Sequence, residues 1–136
     1  MMKTIEQTIE FPGVTPEELF ETYMDSKKHT AAIGAPASIE RRVGGDFRAF
    51  GEGHLVGTIL HLVPNRMVVQ TWRAQTRWKE SELNSVLILT FEQIAGGAKL
   101  GMVHSGVPER DFEMFNQGWH ERYWRPWKTY FQTRIG

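Results

Sequence analysis

Histidines are the residues of this sequence best suited to chemistry near neutral pH, because an imidazole can bind a metal or exchange a proton there. The chain has five of them, at positions 29, 54, 61, 104 and 120. No two lie four residues apart and no HExxH motif occurs, so their spacing predicts no metal site. A single histidine on a strand is more often a hydrogen-bonded structural residue than a ligand. His104 is the candidate for a general base, provided that it occupies a partly buried site.

Two further motifs resemble known chemical sites but stand in the wrong context. The glycines of segment 51–53, together with Gly57, resemble part of a dinucleotide-binding fingerprint. Their spacing differs, however, and the segment joins two predicted strands instead of opening a helix. Ser105 directly follows His104, and neighbouring side chains on a strand point to opposite faces, so these two cannot form a catalytic pair. From motifs alone we therefore predict no catalytic residue, no metal and no cofactor.

Composition and charge exclude several classes of protein. The chain has 136 residues, with 16 Lys and Arg balanced by 16 Asp and Glu, so its formal net charge is zero. This balance argues against a nucleic-acid binder, and the basic cluster of Arg41, Arg42 and Arg48 is typical of a solvated edge strand. Cysteine is absent, which excludes disulfides and thiolate sites. No apolar run approaches the ~20 residues of a membrane span or forms a signal peptide, so we expect a cytoplasmic protein with a single domain over residues 1–136.

The elements that must position these side chains begin with a strand and two short helices. Residues 5–11 alternate in polarity, as a half-buried strand does. Thr15 then precedes Pro16, and Glu18 lies three residues after Thr15, which is the signature of a capped helix start. Gly34 is expected to end a second short helix, since glycine readily adopts the left-handed conformation found at helix C-termini.

Residues 37–107 have the pattern of a series of short strands separated by turn residues. Gly-Gly, Gly-Glu-Gly and Pro-Asn mark the turns, and the segments between them resemble strands in composition. Short strands joined in this way predict an antiparallel meander. The predicted strands cover residues 39–43, 46–50, 55–63, 67–73, 85–91 and 100–105, with turns at 44–45, 51–53, 64–65 and 96–97.

The segment after Pro108 has the periodicity of a helix and is rich in aromatic residues. Pro126 should kink this helix, because proline lacks an amide hydrogen. An antiparallel sheet has one face to bury, so we predict an α+β fold in which a curved sheet wraps around the last helix. The aromatic side chains either fill the core or leave a cavity for a small apolar ligand. They recur every three or four positions and so form one helical face: Phe112, Phe115, Trp119, Tyr123, Trp127 and Tyr130.

Pairing across the turn at residues 64–65 divides the side chains of its two strands between two faces. If His61 lies opposite Val68, then Gln70 and Trp72 share their face. The other face has a similar composition, so the pattern alone leaves both assignments open. The size of Trp72 favours the first face as the buried one.

The order of four segments resembles the START-like superfamily, also called SRPBCC, helix-grip or Bet v1-like. These segments are the helix start at 16–20, the turn at 44–47, Val63-Pro64 before the strand that ends in Trp72, and Gly118-Trp119 in the last helix. More narrowly, the chain resembles the C-terminal domain of the activator of heat-shock protein 90 ATPase, most closely in residues 35–47, 106–108 and 118–123.

The resemblance implies a curved antiparallel sheet that grips the C-terminal helix, with Trp72 on its inner face. It also implies a ligand cavity between sheet and helix, in which Gln70 and His104 are the polar groups of an otherwise apolar lining. The cavity-lining residues predicted in this way are Phe47, Ile59, Val68, Gln70, Trp72, Leu89, Met102, His104, Trp119, Tyr123 and Trp127.

Three functions follow from this reading. The first is a non-enzymatic domain that binds a hydrophobic small molecule in the cavity. The second, implied by the resemblance, is a co-chaperone-like domain that interacts with heat-shock protein 90 and modulates its ATPase in the stress response. The third is a polyketide cyclase-like enzyme that uses His104 as a general base. Trp78 and Trp124 are expected either to cap the mouth of the cavity or to contact a partner.

Overall fold

In the part of the chain that the computed structural model describes, residues 1–51 and 53–135, the strands form one antiparallel sheet. Glu52 belongs to the predicted 51–53 turn and lies outside the described residues. The order across the sheet is β1-β7-β6-β5-β4-β3-β2, so strands β2 to β7 form the predicted meander and β1 pairs with its last strand. The strands are β1 (Met2–Pro12), β2 (Ala37–Ile39), β3 (Asp46–Ala49), β4 (Leu55–Val63), β5 (Met67–Ala74), β6 (Ser85–Ile94) and β7 (Gly97–Pro108).

Two short helices follow β1, as predicted. Helix α1 (Pro16–Met24) begins with a reciprocal cap in which the Glu18 N–H donates to Thr15 Oγ1 and the Thr15 N–H donates to the Glu18 carboxylate. Helix α2 (Ser26–Ile33) ends at Gly34, which has the left-handed φ of 71° that the sequence led us to expect. Local sequence signals therefore fixed both ends of this helical pair.

The C-terminal helix comprises α3 (Phe112–Trp119), a π-helical turn (His120–Trp124) and α4 (Arg125–Ile135). In the wider turn the Arg125 N–H donates to the carbonyl of His120, five residues earlier. Pro126 follows immediately, and in a regular helix its ring would crowd the carbonyl four residues back. The predicted disturbance at Pro126 is therefore present as a π-helical turn that leaves room for the ring.

The predicted two-residue hairpin at Gly44-Gly45 is wrong. Strand β2 ends at Ile39, which pairs with Phe47, so six residues connect β2 and β3. The reason is that the two glycines bond to β4: the Gly44 N–H donates to the carbonyl of Ile59 over 2.7 Å, and the Ile59 N–H donates to that of Gly45 over 2.9 Å.

The predicted position of His61 is also wrong. The turn after Val63 holds three residues, because Val63 pairs with Met67 and Asn65 takes a left-handed φ of 65°. A β-bulge between Ile59 and His61 then restores the expected pairing of Ile59 with Gln70. His61 consequently pairs with Val69 and is exposed rather than facing the helix.

The core lies between the inner face of the sheet and the C-terminal helix. Every cavity-lining residue predicted from the sequence is buried there, with at most 7% of its surface exposed. The predicted α+β helix-grip architecture, in which a curved sheet surrounds the last helix, is therefore confirmed. None of the helices in the described residues is long and apolar enough to cross a membrane.

Candidate functional site

A groove of about 650 Å³ opens between the C-terminal helix and the ends of strands β4 and β5. This volume lies within the range of small-molecule sites in proteins. Its walls are mainly aromatic, and its polar side chains are His54, Thr76, Arg77 and Arg122. The aromatic wall is formed by Phe50, Trp72, Phe115, Trp119 and Tyr123.

The structure divides the eleven predicted lining residues between this groove and the core. Trp72, Trp119 and Tyr123 line the groove. The remaining eight do not line it and are buried in the core: Phe47, Ile59, Val68, Gln70, Leu89, Met102, His104 and Trp127. The groove therefore lies nearer one end of the sheet than the sequence indicated, at the loops that follow β3 and β5.

Trp72 is the centre of the aromatic wall. Its ring centroid lies 5.2 Å from that of Phe115 and 5.7 Å from that of Trp78, both in tilted or edge-on contacts. Trp119 lies 6.2 Å away on the facing helix and stacks on Trp124 at 5.5 Å. These contacts hold the wall rigid, because each ring is packed on more than one side.

Phe50 contributes to the aromatic wall from a strained backbone. Its φ of 59° lies in the left-handed region, which is rare for a bulky residue other than glycine. The ring packs edge-on against Tyr123 at 5.9 Å, and the Arg122 guanidinium lies 5.8 Å from its centroid. The fold thus accepts a strain of order 1–3 kcal/mol while holding an aromatic ring at the groove, a pattern that is frequent at functional sites.

His104 lies in a buried hydrogen-bond chain that determines which ring nitrogen carries the proton. The indole N–H of Trp119 donates to Nδ1 of His104 over 3.2 Å. An indole nitrogen can only donate, so Nδ1 is unprotonated and Nε2–H donates to Ser85 Oγ over 2.7 Å. The Ser85 hydroxyl donates in turn to the carbonyl of Trp72 over 2.8 Å.

This arrangement is unsuitable for a general base, which needs a lone pair directed at the proton it removes. The free lone pair of His104 accepts from Trp119, and its N–H points at Ser85. The residue has 0% exposure, and burial lowers its pKa to about 3. The structure therefore gives no support to His104 as a general base, because both ring nitrogens are engaged and the imidazole links sheet and helix as a neutral group.

A second buried network, which sequence reasoning missed, joins α2 to the C-terminal helix. Nδ1–H of His29 donates to the carbonyl of Tyr23 over 2.7 Å, and the Tyr123 hydroxyl donates to Nε2 over 2.9 Å. The Tyr23 hydroxyl bonds Gln70. Burial lowers the pKa of His29 to about 4 and raises the pKa of Tyr123. No local spacing signals these partners, since His29 and Tyr123 are 94 residues apart in sequence.

Asp111, whose role the sequence analysis also did not identify, connects the β5–β6 loop to the start of the C-terminal helix. Its carboxylate is fully buried and accepts from Arg77 and from the indole of Trp78, each over 2.8 Å. Burial alone would raise the pKa of Asp111, but these hydrogen bonds outweigh it and lower the pKa below its usual value. The same contacts position Arg77 at the rim of the groove.

The two tryptophans whose roles the sequence left open are both structural. Trp78 is 4% exposed and bonded to Asp111, and Trp124 is 2% exposed and donates to Gln7 over 2.8 Å. Neither ring is available at the surface for a partner. Among the described residues, the indole nitrogens of Trp72 and Trp127 are buried without a hydrogen-bond acceptor. Within the same residues, no cluster of three or more His, Asp or Glu side chains is arranged to hold a metal ion.

The sequence of this chain is similar to those of known proteins. A family model described as Activator of Hsp90 ATPase homolog 1-like protein matches residues 13–132. Activator of 90 kDa heat shock protein ATPase homolog 1 from Homo sapiens is 32% identical over 117 residues, which cover 86% of this chain and 34% of the human protein. The corresponding protein from Dictyostelium discoideum is 26% identical, with 86% and 30% covered. The chain thus spans about a third of the length of the curated relatives it matches.

Solved structures share the fold. PFC0360w, an HSP90 activator from Plasmodium falciparum, superposes with a TM-score of 0.82 at 23% identity, covering 95% of this chain and 96% of that one. The Aha1 dimer structure from Colwellia psychrerythraea gives a TM-score of 0.72 at 20% identity, with 88% and 89% covered. At these identities the superpositions establish a common architecture and nothing about ligands or partners.

Proposed function

The chain belongs to the family of Activator of Hsp90 ATPase homolog 1-like proteins, and from this membership we propose that it binds heat-shock protein 90 and changes the rate of its ATPase. Membership confirms the START-like resemblance inferred from the sequence. The observation that carries the proposal is the family match over residues 13–132, supported by relatives whose names refer to this ATPase. The proposal treats residues 1–136 as one domain and implies a cytoplasmic location.

The test measures binding and turnover together. Heat-shock protein 90 from the same organism is titrated with the chain, and its ATPase rate is recorded with the inhibitor-insensitive background subtracted. We expect a saturable change in rate at the concentrations at which calorimetry detects binding. Absence of heat of binding together with an unchanged rate would contradict the proposal, and the heat-unfolded chain serves as the negative control.

Two exposed apolar side chains allow the contact to be mapped without disturbing the core. Leu83 is 73% exposed in the β5–β6 loop, and Val43 is 59% exposed in the β2–β3 loop. Both side chains lie at the surface, so changing them tests their loops and leaves the packing of the core intact. Each is changed to serine separately, so that loss of chaperone binding in one variant and not in the other identifies the loop that faces the partner.

We also propose that the groove binds a hydrophobic small molecule, which is the first of the three functions predicted from the sequence. The supporting observation is the aromatic wall around a volume of about 650 Å³. In this proposal the ligand contacts Trp72, Trp119 and Tyr123, and the other eight predicted residues pack behind them and fix their positions.

Gly118 offers a matched pair of variants for this second proposal. It lines the groove, and a Cβ placed on it would meet no atom within 4 Å. Gly118→Leu should project a branched side chain into the groove and weaken binding of apolar compounds, whereas Gly118→Ala adds one methyl group and should retain it. The measurement is the rise in melting temperature caused by a panel of apolar compounds. A panel without any shift for the wild-type chain, or equal shifts in all three proteins, would contradict ligand binding in the groove.

A further inference from the structure

Among the residues that the structure describes, the charged side chains that line the groove are basic. Arg77 and Arg122 line it, together with the imidazole of His54. None of the described lining residues is Asp or Glu. A groove with apolar walls and cations at its rim is complementary to a molecule that is apolar over most of its surface and anionic at one end.

The two arginines differ in how far their charge is already compensated. Arg77 lies 2.7 Å from the buried carboxylate of Asp111, and this salt bridge compensates its charge within the protein. Arg122 is exposed, and its guanidinium lies beside the aromatic wall, 5.8 Å from the centroid of the Phe50 ring. No carboxylate of residues 1–51 or 53–135 forms a salt bridge with it, so within this part of the chain its N–H groups can donate to an oxygen acceptor.

Resting on the second proposal above, that the groove holds a small molecule, we propose that its ligand is an amphiphilic carboxylate whose apolar part lies on the aromatic wall and whose carboxylate accepts from Arg122. Guanidinium is the side chain best matched to a carboxylate, because its paired N–H groups fit both oxygens. The orphan indole nitrogen of Trp72 is covered by other atoms and is not assigned to the ligand.

The strain at Phe50 has a role in this proposal. The left-handed backbone at this position orients the ring toward both Tyr123 and Arg122. Phe50 thereby extends the apolar wall and also contacts Arg122, the cation at the end of that wall. A ligand that bridges wall and rim would use both contacts at once.

The test compares naphthaleneacetate with its uncharged methyl ester by isothermal titration calorimetry. The wild-type chain should bind the acid about 5-fold more tightly than the ester, the effect expected of one partly exposed charge pair. Arg122→Gln should remove this preference, so that acid and ester bind this variant with equal affinity, and Arg122→Lys should restore part of it. Arg125→Gln is the control, because Arg125 carries the same charge on the same helix, is exposed and does not line the groove.

Each outcome decides a different point. Equal affinities of the wild-type chain for acid and ester, or equal losses in Arg122→Gln and Arg125→Gln, would overturn the carboxylate assignment and leave ligand binding intact. Failure of both compounds to bind would overturn the carboxylate assignment and the ligand proposal together, and the chaperone assay would then decide whether a protein partner uses this face. If Arg122→Gln does not fold, the comparison of acid and ester on the wild-type and Arg122→Lys proteins decides the question.

Discussion

Mild acid should destabilise the protein through two buried, neutral histidines. Burial lowers the pKa of His29 to about 4 and of His104 to about 3, whereas an imidazole in an unfolded chain titrates near 6.5. As the pH falls below about 6.5, the unfolded chain therefore binds protons that the folded chain does not, and the free energy of unfolding decreases. Above that pH both states are neutral at these residues, so their effect disappears.

The size of the effect follows from the number of protons. Each histidine removes about 1.4 kcal/mol per pH unit once the unfolded chain is protonated, so the pair removes about 4 kcal/mol between pH 7.5 and pH 5. Typical domains have only about 5–15 kcal/mol of stability in total. The lowered pKa values of Asp111 and Glu21 act in the same direction, but only as their carboxyl groups become protonated at lower pH.

The assay is urea unfolding followed by tryptophan fluorescence at pH 7.5, 6 and 5. His104→Gln cannot titrate, so its stability should fall by about half as much as that of the wild-type chain over this range. His61→Gln is the control, since it removes a histidine that is exposed rather than buried. A wild-type loss below about 1 kcal/mol, or a full loss retained in His104→Gln, would refute the reasoning from burial.

Three further variants test individual contacts. Asp111→Asn keeps the shape of the side chain but removes the charge that Arg77 and Trp78 contact, so urea unfolding should show a loss of about 1–3 kcal/mol. Gly118→Ala should raise the free energy of unfolding by about 0.5–1 kcal/mol, because alanine favours the helix and its methyl group meets no atom within 4 Å. A lower free energy of unfolding in Gly118→Ala would contradict the open space found beside this glycine. Thr15→Ala removes the cap of α1 and should cost about 1 kcal/mol, with unchanged ligand binding as its control measurement.

Most elements of the fold were predictable because their signals are local. The cap of α1 needs only Thr15, Pro16 and Glu18, and these residues act within one helical turn. The end of α2 needs only the left-handed Gly34. Strand periodicity and the spacing of aromatic residues in the C-terminal helix likewise repeat over a few positions, so the sequence contains them in full.

The two errors in the fold arose where a distant strand changed a local preference. Gly44-Gly45 is a good hairpin sequence, yet its backbone groups bond to Ile59 in β4. His61 was placed by counting from the turn, and the third residue of that turn moved it to the outer face, whereas the bulge restores the expected register only at Ile59. A register shift of one residue reverses the face of every side chain beyond it, and pattern alone does not reveal it.

By itself, the sequence determined the periodicity of the strands and the aromatic face of the last helix, and the choice of the Trp72 face of the sheet also rested on the size of Trp72 and on the family resemblance. Tertiary structure alone decided what those residues do. It made His104 a hydrogen-bond link through Ser85 and Trp119, and it joined His29 to Tyr123 across 94 residues of sequence. It also opened the groove at one end of the sheet, beside loops whose course depends on Asp111 and Phe50. The physical reason is that periodicity and capping act within a few residues, whereas partners and empty space are set by how distant segments pack.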